Sequence, residues 1–384
     1  MHEFELRREQ LQRELRVRGL DAALFFHPLR VQYFSGFTHL STERPIALFV
    51  PVNGRPGMLV PRLEEAHLGH ICQGTIEPWT YFEYPGIAHP LTLLADWVIS
   101  KGVNKLGVDL DGFLDQNGYQ GPRFSSLWTG LQINIGGLTT MMRHVKSSWE
   151  MQRLTASGDW GAKTHALLQE EMANGGDEIA ISARASSRAQ ALCDAAVGEG
   201  GFSSIQVSAS FRSGARTAFP HTHMIHTIPA VGDNLVTYCQ GIVDGYYTEL
   251  ERTLLFGAPS TEQRRLFDIV RGVQQELLSM IRPGVPCAEL DIVARNRMDD
   301  AGCYHFMLHH QGHGLGLEFH EAPFLDVGDP TILQEGMVLS VEPGLYVPGL
   351  GGFRNSDTVA VTADGVRILT PYPSDIDSLT IRMN

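Results

Sequence analysis

Four histidines, His309, His310, His313 and His320, stand among Gly312, Gly314 and Gly316 in the stretch HHQGHGLGLEFHEAP, residues 309 to 323. Imidazoles crowded beside glycine imply backbone packed close against a polar site, where a ring nitrogen can hold a metal or move a proton. A second group, SGARTAFPHTH at 213 to 223, ends on His221 and His223. A third, GYYTELERT at 245 to 253, sets Glu249 and Glu251 two residues apart. On a strand they share one face, and their apolar neighbours Tyr246, Leu250 and Leu254 favour burial with a partner over a solvated edge. The fourth, EGMVLSVEPGLY, closes an apolar run on Glu342 just before Pro343 and Gly344. Taken singly, each is as readily a solvated loop; together they make acid–base or metal chemistry the expectation.

The elements that must carry these groups follow from hydrophobic period and punctuation. Phe4, Leu11, Leu15 and Leu20 recur at helical spacing, and the apolar run Ala22 to Phe26 after Gly19 reads as a buried strand. Runs at Ile46 to Val50, Met58 to Val60 and Leu106 to Asp109, with a helical pattern around Leu91 to Ile99, continue the alternation. This gives a smaller α/β domain over residues 1 to 145. In RHVKSSWE, Ser147 or Ser148 caps a new helix with Glu150 in its first turn. Beyond it, over residues 146 to 384, helices to Asn174, from Glu178 to Val197, Glu262 to Met280 and Ala288 to Ala301 frame strands at Ser204 to Ser210, Asn234 to Cys239, Thr248 to Phe256, Val338 to Glu342 and Asp357 to Val361. The expectation is an α+β domain around a curved antiparallel sheet.

Composition narrows the function class. The chain has 384 residues, enough for two cores, with 43% hydrophobic and 19% charged residues, ordinary for a globular protein. A formal net charge of -13 repels phosphate backbones and anionic lipid, which excludes nucleic acid and membrane surfaces as expected partners. No stretch of about 18 apolar residues and no apolar leader occur, so the expected location is the cytoplasm. The five cysteines are odd in number and lack CxxC spacing, which implies reduced thiols.

The ordered set SG...PH, GYYTELERT, GHGLGLEFHE, SVEPGLY and GGFRNSDTV resembles the creatinase, prolidase and methionine aminopeptidase superfamily, peptidase family M24, with its "pita-bread" catalytic domain behind a creatinase-type N-terminal domain. The five metal ligands of that superfamily fall on Tyr238, Glu249, His313, Glu342 and Ser356. A phenol and a serine hydroxyl cannot balance two divalent ions, so the resemblance implies no dinuclear site; a single divalent metal on Glu249, His313 and Glu342 stays open. The likeness is nearest to creatinase, which implies a metal-independent hydrolase cleaving a C–N bond in a small cationic or zwitterionic guanidino or amidino substrate. In that expectation the catalytic residues are His221, Glu251, His313, His320 and Glu342. His221 is the acid/base, Glu251 and Glu342 grip the cation, and Arg44, Glu249 and Tyr247 bind substrate. The resemblance also implies a homodimer in which the N-terminal domain of one subunit, with Arg44, reaches the other subunit's active site. Without a metal, Glu249, Glu251 and Glu342 repel one another, so protons or a positive group must stand between them, and a cationic substrate would supply that charge. Two other readings accompany it: an Xaa-Pro dipeptidase or aminopeptidase with a degenerate or mononuclear metal site, and an inactive pita-bread binding protein.

Overall fold

The computed structural model describes residues 3–113 and 118–382 and divides between Met142 and Arg143 into two compact units. In the N-terminal unit, the described strands form a six-stranded mixed sheet. Ala22–Phe25 lies inside it, antiparallel to Ala47–Pro51 and parallel to Lys105–Val108. Leu24, Phe26, Phe49, Leu94, Val98, Phe124 and Trp128 make its core. The helix Pro90–Ser100 begins with Pro90 at its first position, where the missing N–H costs nothing, and His89 Nδ1 accepts the Leu91 N–H.

The C-terminal unit opens on the long helix Ser148–Ala173, whose cap is Ser147. Its Oγ accepts the Glu150 N–H at 3.2 Å, and Glu150 Oε2 accepts the Ser147 N–H at 3.0 Å, a reciprocal box that satisfies two orphan donors. This helix and Glu178–Ala196, Thr261–Met280 and Cys287–Asp300 bury their apolar stripes, among them Leu168, Ile181, Phe267, Leu277 and Leu290, against a sheet. Among the described residues the main path of that sheet runs Glu321–Phe324, Gly312–Gly314, Val338–Val341, Ser356–Thr362, Tyr246–Glu251, Asn234–Val243, Thr253–Phe256 and Thr380–Ile381, with Ile205–Ser213 branching onto Asn234–Val243. Its pairs are antiparallel except the last on the path.

Three elements differ from the sequence reading. Asn234–Val243 runs on to a two-residue turn at Asp244 (φ 49°) and Gly245 (φ 84°), the Asp-Gly chemistry of a tight hairpin, and returns as Tyr246–Glu251. The strand expected over Thr248 to Phe256 is broken at Arg252. That guanidinium is 1% exposed and turns inward to Asp357 Oδ1 and to the carbonyls of Ser356, Tyr372 and Pro373. The glycine-rich 312 to 316 segment holds a strand, Gly312–Gly314, since a Cβ on Gly312 (φ +150°) would meet the Ser340 carbonyl oxygen at 1.9 Å. None of the described helices is long and apolar enough to cross a membrane.

Candidate metal and active site

The hairpin places the acids. Strand alternation puts Tyr247, Glu249 and Glu251 on one face, Glu251 opposite Ser356, while Tyr238 on the next strand faces Ser210. His313 enters from Gly312–Gly314, opposite Ser340, and Glu342 follows Val338–Val341 with its N–H held by the Gln311 carbonyl at 2.8 Å. Strands distant in sequence thus bring the carboxylates to one imidazole.

His313 is fully buried. Its Nδ1 donates to the Gly314 carbonyl at 2.9 Å, which leaves Nε2 to face Glu249 Oε2 at 3.5 Å and Glu342 Oε1 at 3.4 Å. Those are ion-pair separations, too long for settled hydrogen bonds, and both His313 Nε2 and Glu249 Oε2 are buried without a hydrogen-bond partner. One donor atom from each of Glu249, His313 and Glu342 lies within 4.8 Å of the others. Burial presses the imidazole toward neutrality, but the flanking carboxylates outweigh it and raise its pKa to about 9. Burial, reinforced by the charge of Glu249, pushes Glu342 up to about 7. Glu249 is held below the usual carboxylate range: His313 overcomes the cost of its burial.

Glu251, 1% exposed, is engaged by a residue that sequence reasoning missed, Arg354, whose Nη2 donates to Glu251 Oε1. Burial and the neighbouring acids push the Glu251 carboxyl upward, Arg354 opposing them. Arg354 is itself raised, because the surrounding acids outweigh its desolvation. A polar chain continues outward: Arg354 Nη1 lies 3.4 Å from the Tyr346 hydroxyl, which lies 2.8 Å from His309 Nε2. Burial, chiefly, keeps His309 neutral, with a pKa near 4. Arg354 was visible in GGFRNSDTV as a cation two residues before Ser356, but its partner lies 103 residues away, and no local pattern joins them.

The remaining expected residues are dispersed. His320 is exposed, yet its ring stacks on His313 at 3.8 Å between centroids; burial and the His313 charge lower its pKa. Tyr247 is half-buried, 6.3 Å from the ring of Phe319, which also neighbours Tyr238 at 5.7 Å and His320 at 4.8 Å. His221 lies exposed after the short helix Gly214–Ala218, close enough for its charge to act on His309 and His320. Arg44 belongs to the N-terminal unit, its guanidinium 2.5 Å from Glu43.

One divalent cation fits the donors present. Glu249 Oε2 and His313 Nε2 lack partners, the His313 tautomer is set by Gly314 as metal-binding imidazoles are set by an outer acceptor, and Glu342 adds a second carboxylate. The charges would agree: a divalent ion displacing the His313 proton would, with Arg354, balance Glu249, Glu251 and Glu342. A second ion does not fit. Tyr238 donates to Gln240 Oε1 at 2.5 Å with its phenol pKa driven far up by burial, Ser356 Oγ pairs with Ser340 Oγ at 2.8 Å, and Glu251 Oε1 is taken by Arg354.

Comparison with known proteins agrees with the scaffold. Residues 152–363 match metallopeptidase family M24, and residues 7–119 match the creatinase/prolidase N-terminal domain. An Xaa-Pro dipeptidase of Lactobacillus helveticus is 28% identical over 380 residues, 97% of this chain and 99% of that protein. An uncharacterised peptidase of Staphylococcus aureus is 27% identical over 366 residues, 94% and 97% of the two chains. Among solved structures, the dipeptidase PepE of Mycobacterium ulcerans superposes with a TM-score of 0.83 at 25% identity, covering 99% of this chain and 98% of its own. An Xaa-Pro dipeptidase from Bacillus anthracis has a TM-score of 0.82 at 23% identity, covering 97% and 99%, and shares the fold.

These findings correct the expectation of a metal-independent, creatinase-like amidinohydrolase: the similar proteins are peptidases, among them Xaa-Pro dipeptidases of two Lactobacillus species. The geometry of the site gives a physical reason as well. A positive charge of the kind expected from a guanidino substrate is already supplied within the chain by Arg354, which takes Glu251 Oε1. Of the two cofactor expectations, none or a single divalent metal on Glu249, His313 and Glu342, the donors present fit the second.

Proposed function

The chain belongs to metallopeptidase family M24, and from that premise we propose that it is a peptidase hydrolysing Xaa-Pro dipeptides with one divalent cation held by Glu249, His313 and Glu342. The observation that carries this reading is the convergence of Glu249 Oε2 and His313 Nε2, both buried and unpartnered, with Glu342 Oε1 beside them. When bound, the cation would polarise the scissile carbonyl and lower the pKa of a water.

The protein's own residues do the rest. Phe319 lies 5.7 Å from the ring of Tyr238 and 6.3 Å from that of Tyr247, an aromatic group suited to a flat, apolar pyrrolidine ring. His320, exposed and stacked on His313, would offer an N–H beside the metal-ligand cluster to an oxyanion developing on the carbonyl. Arg354, tied to Glu251, keeps a fixed positive charge behind the acids, so the bound state reaches neutrality with a single divalent ion.

A second reading, ligand binding without turnover, is favoured by one observation: Tyr238 and Ser356 have closed hydrogen bonds of their own where further ligands would stand. Elemental analysis of the purified protein, with hydrolysis of an Xaa-Pro panel before and after chelation, separates the two. One equivalent of metal with chelator-sensitive hydrolysis supports the peptidase. Dipeptide binding with no turnover at any metal loading supports the second reading, and two equivalents of metal would refute the mononuclear site.

A further inference from the structure

Two cations from the first residues of the C-terminal unit meet on one buried carboxylate, and none of the three has a part in the site as described. Glu321 opens the strand Glu321–Phe324 and is buried. Its Oε1 accepts from Lys146 Nζ at 2.9 Å, and its Oε2 accepts from Arg143 Nη2. Arg143 reaches further: its Nη1 lies 2.8 Å from Glu318 Oε2, so one guanidinium spans two acids. Both cations are buried, and the four charges cancel. Burial by itself would raise the Glu321 carboxyl, but Lys146 and Arg143 overcome it and hold it below the usual carboxylate range.

What these cations hold is a turn. Gly314 pairs with Glu321 across the base of the loop that joins Gly312–Gly314 to Glu321–Phe324. The Glu321 carboxylate is folded in against that loop: a Cβ on Gly316 would meet its Oε1 at 2.8 Å, and glycine leaves it room. Between the two clamped acids stand Phe319 and His320. Phe319 neighbours the rings of Tyr238, Tyr247 and His313, and His320 stacks on His313. The cations are anchored in turn to another strand of the site. Val145 pairs with Met337, and the Lys146 N–H donates to the Gly336 carbonyl at 2.9 Å, just ahead of Val338–Val341 and Glu342. A buried ion cluster adds little net stability, because desolvation offsets most of the attraction, but a guanidinium bridging two carboxylates admits few geometries.

We propose that Arg143, backed by Lys146, is a positioning residue for the site: by spanning Glu318 and Glu321 it fixes the turn between them, keeping His320 over His313 and Phe319 against Tyr238 and Tyr247. It rests on the proposed peptidase reading only for the reaction whose rate the turn governs. A lysine at position 143 keeps the charge beside Glu321, but one ammonium does not reproduce the planar fork that holds both acids. Folding and positioning therefore separate in Arg143→Lys.

The test compares Arg143→Lys, Arg143→Met and Glu318→Ala with the parent by two readouts that need no turnover. One is hydrogen exchange of the peptide covering residues 315 to 322. The other is the ring resonance of His320, identified by its loss in His320→Gln and recorded without added metal at pH 8.5, about two units above the ordinary histidine pKa, so that position and not charge of this ring is read. Arg143→Lys should melt close to the parent and well above Arg143→Met, since it leaves no buried acid without a cation. Even so, Arg143→Lys and Glu318→Ala should show roughly 10-fold faster exchange confined to that peptide and a displaced His320 resonance. Gly-Pro hydrolysis at saturating manganese should fall roughly 10- to 100-fold in kcat in both, with manganese affinity unchanged. Glu318→Ala, which removes a half-exposed partner, carries the comparison if the Arg143 variants lose their fold. An unmoved His320 resonance, unchanged exchange, a parental kcat in an active protein, or a kcat that only tracks the melting temperature would each overturn the positioning role. A parent that does not hydrolyse Gly-Pro defeats the peptidase reading, and the resonance and the exchange then decide the positioning role by themselves.

Discussion

Replacing Arg354 by Met should be among the most damaging single changes in the C-terminal unit, and the cost can be worked from its partners. Glu251 is 1% exposed, takes its hydrogen bond from Arg354, and shares its surroundings with Glu249 and Glu342. Without the guanidinium, a buried carboxyl is left either charged among like charges or forced to hold a proton, a loss of about 3–5 kcal/mol. For a unit of this size that lowers the melting temperature by roughly 2–4 °C per kcal/mol. Glu251→Met alone strands Arg354 and costs a similar amount, whereas Arg354→Met/Glu251→Met removes both charges and should recover much of the loss, giving a coupling energy of about 2 kcal/mol or more. Urea unfolding of the four proteins, compared at equal slopes, measures it. Added divalent cation should stabilise Arg354→Met more than the parent, since it restores the missing positive charge beside the acids. The reasoning is refuted if Arg354→Met lies within about 1 kcal/mol of the parent or if the two single losses add in the double variant.

Two further outcomes follow from the same structure. Burial, aided by Arg252, presses the His165 pKa down to about 3, while its Nε2 sits 2.8 Å from Thr237 Oγ1. The unfolded imidazole takes its proton near 6.5, so the unfolded chain binds more protons below that pH, and this residue's contribution to stability falls by up to about 1.4 kcal/mol per pH unit until pH approaches the folded value. In His165→Gln the pH dependence of the unfolding free energy between pH 6 and pH 4 should be shallower by about one proton; an unchanged slope would contradict this. Gly312→Ala forces a Cβ to within 1.9 Å of the Ser340 carbonyl oxygen and should cost about 2–3 kcal/mol and disturb metal uptake at the adjacent His313. Gly272→Ala, on the helix Thr261–Met280 with open space around it, should instead gain about 0.5–1 kcal/mol. Equal melting temperatures for the two variants would show that the Gly312 approach is not as tight as described.

Much of this protein could be read from local pattern, because local pattern is set by short-range physics. Alternation alone puts Glu249 and Glu251 on one face, and RHVKSSWE announces a helix start that Ser147 and Glu150 then close. The replacement of two ligand positions by Tyr238 and Ser356 excludes two metals on charge alone, and the ordered motifs carry the fold class. What the chain does with the charge of its acids was not legible. The counter-ion of Glu251 is Arg354, 103 residues on. The sequence reading therefore assigned the missing positive charge to a substrate, and the sheet assigns it to the protein. Period and caps depend on neighbours along the chain, whereas the balance of a buried cluster depends on which distant cation the tertiary structure brings within reach, and burial makes that balance decisive.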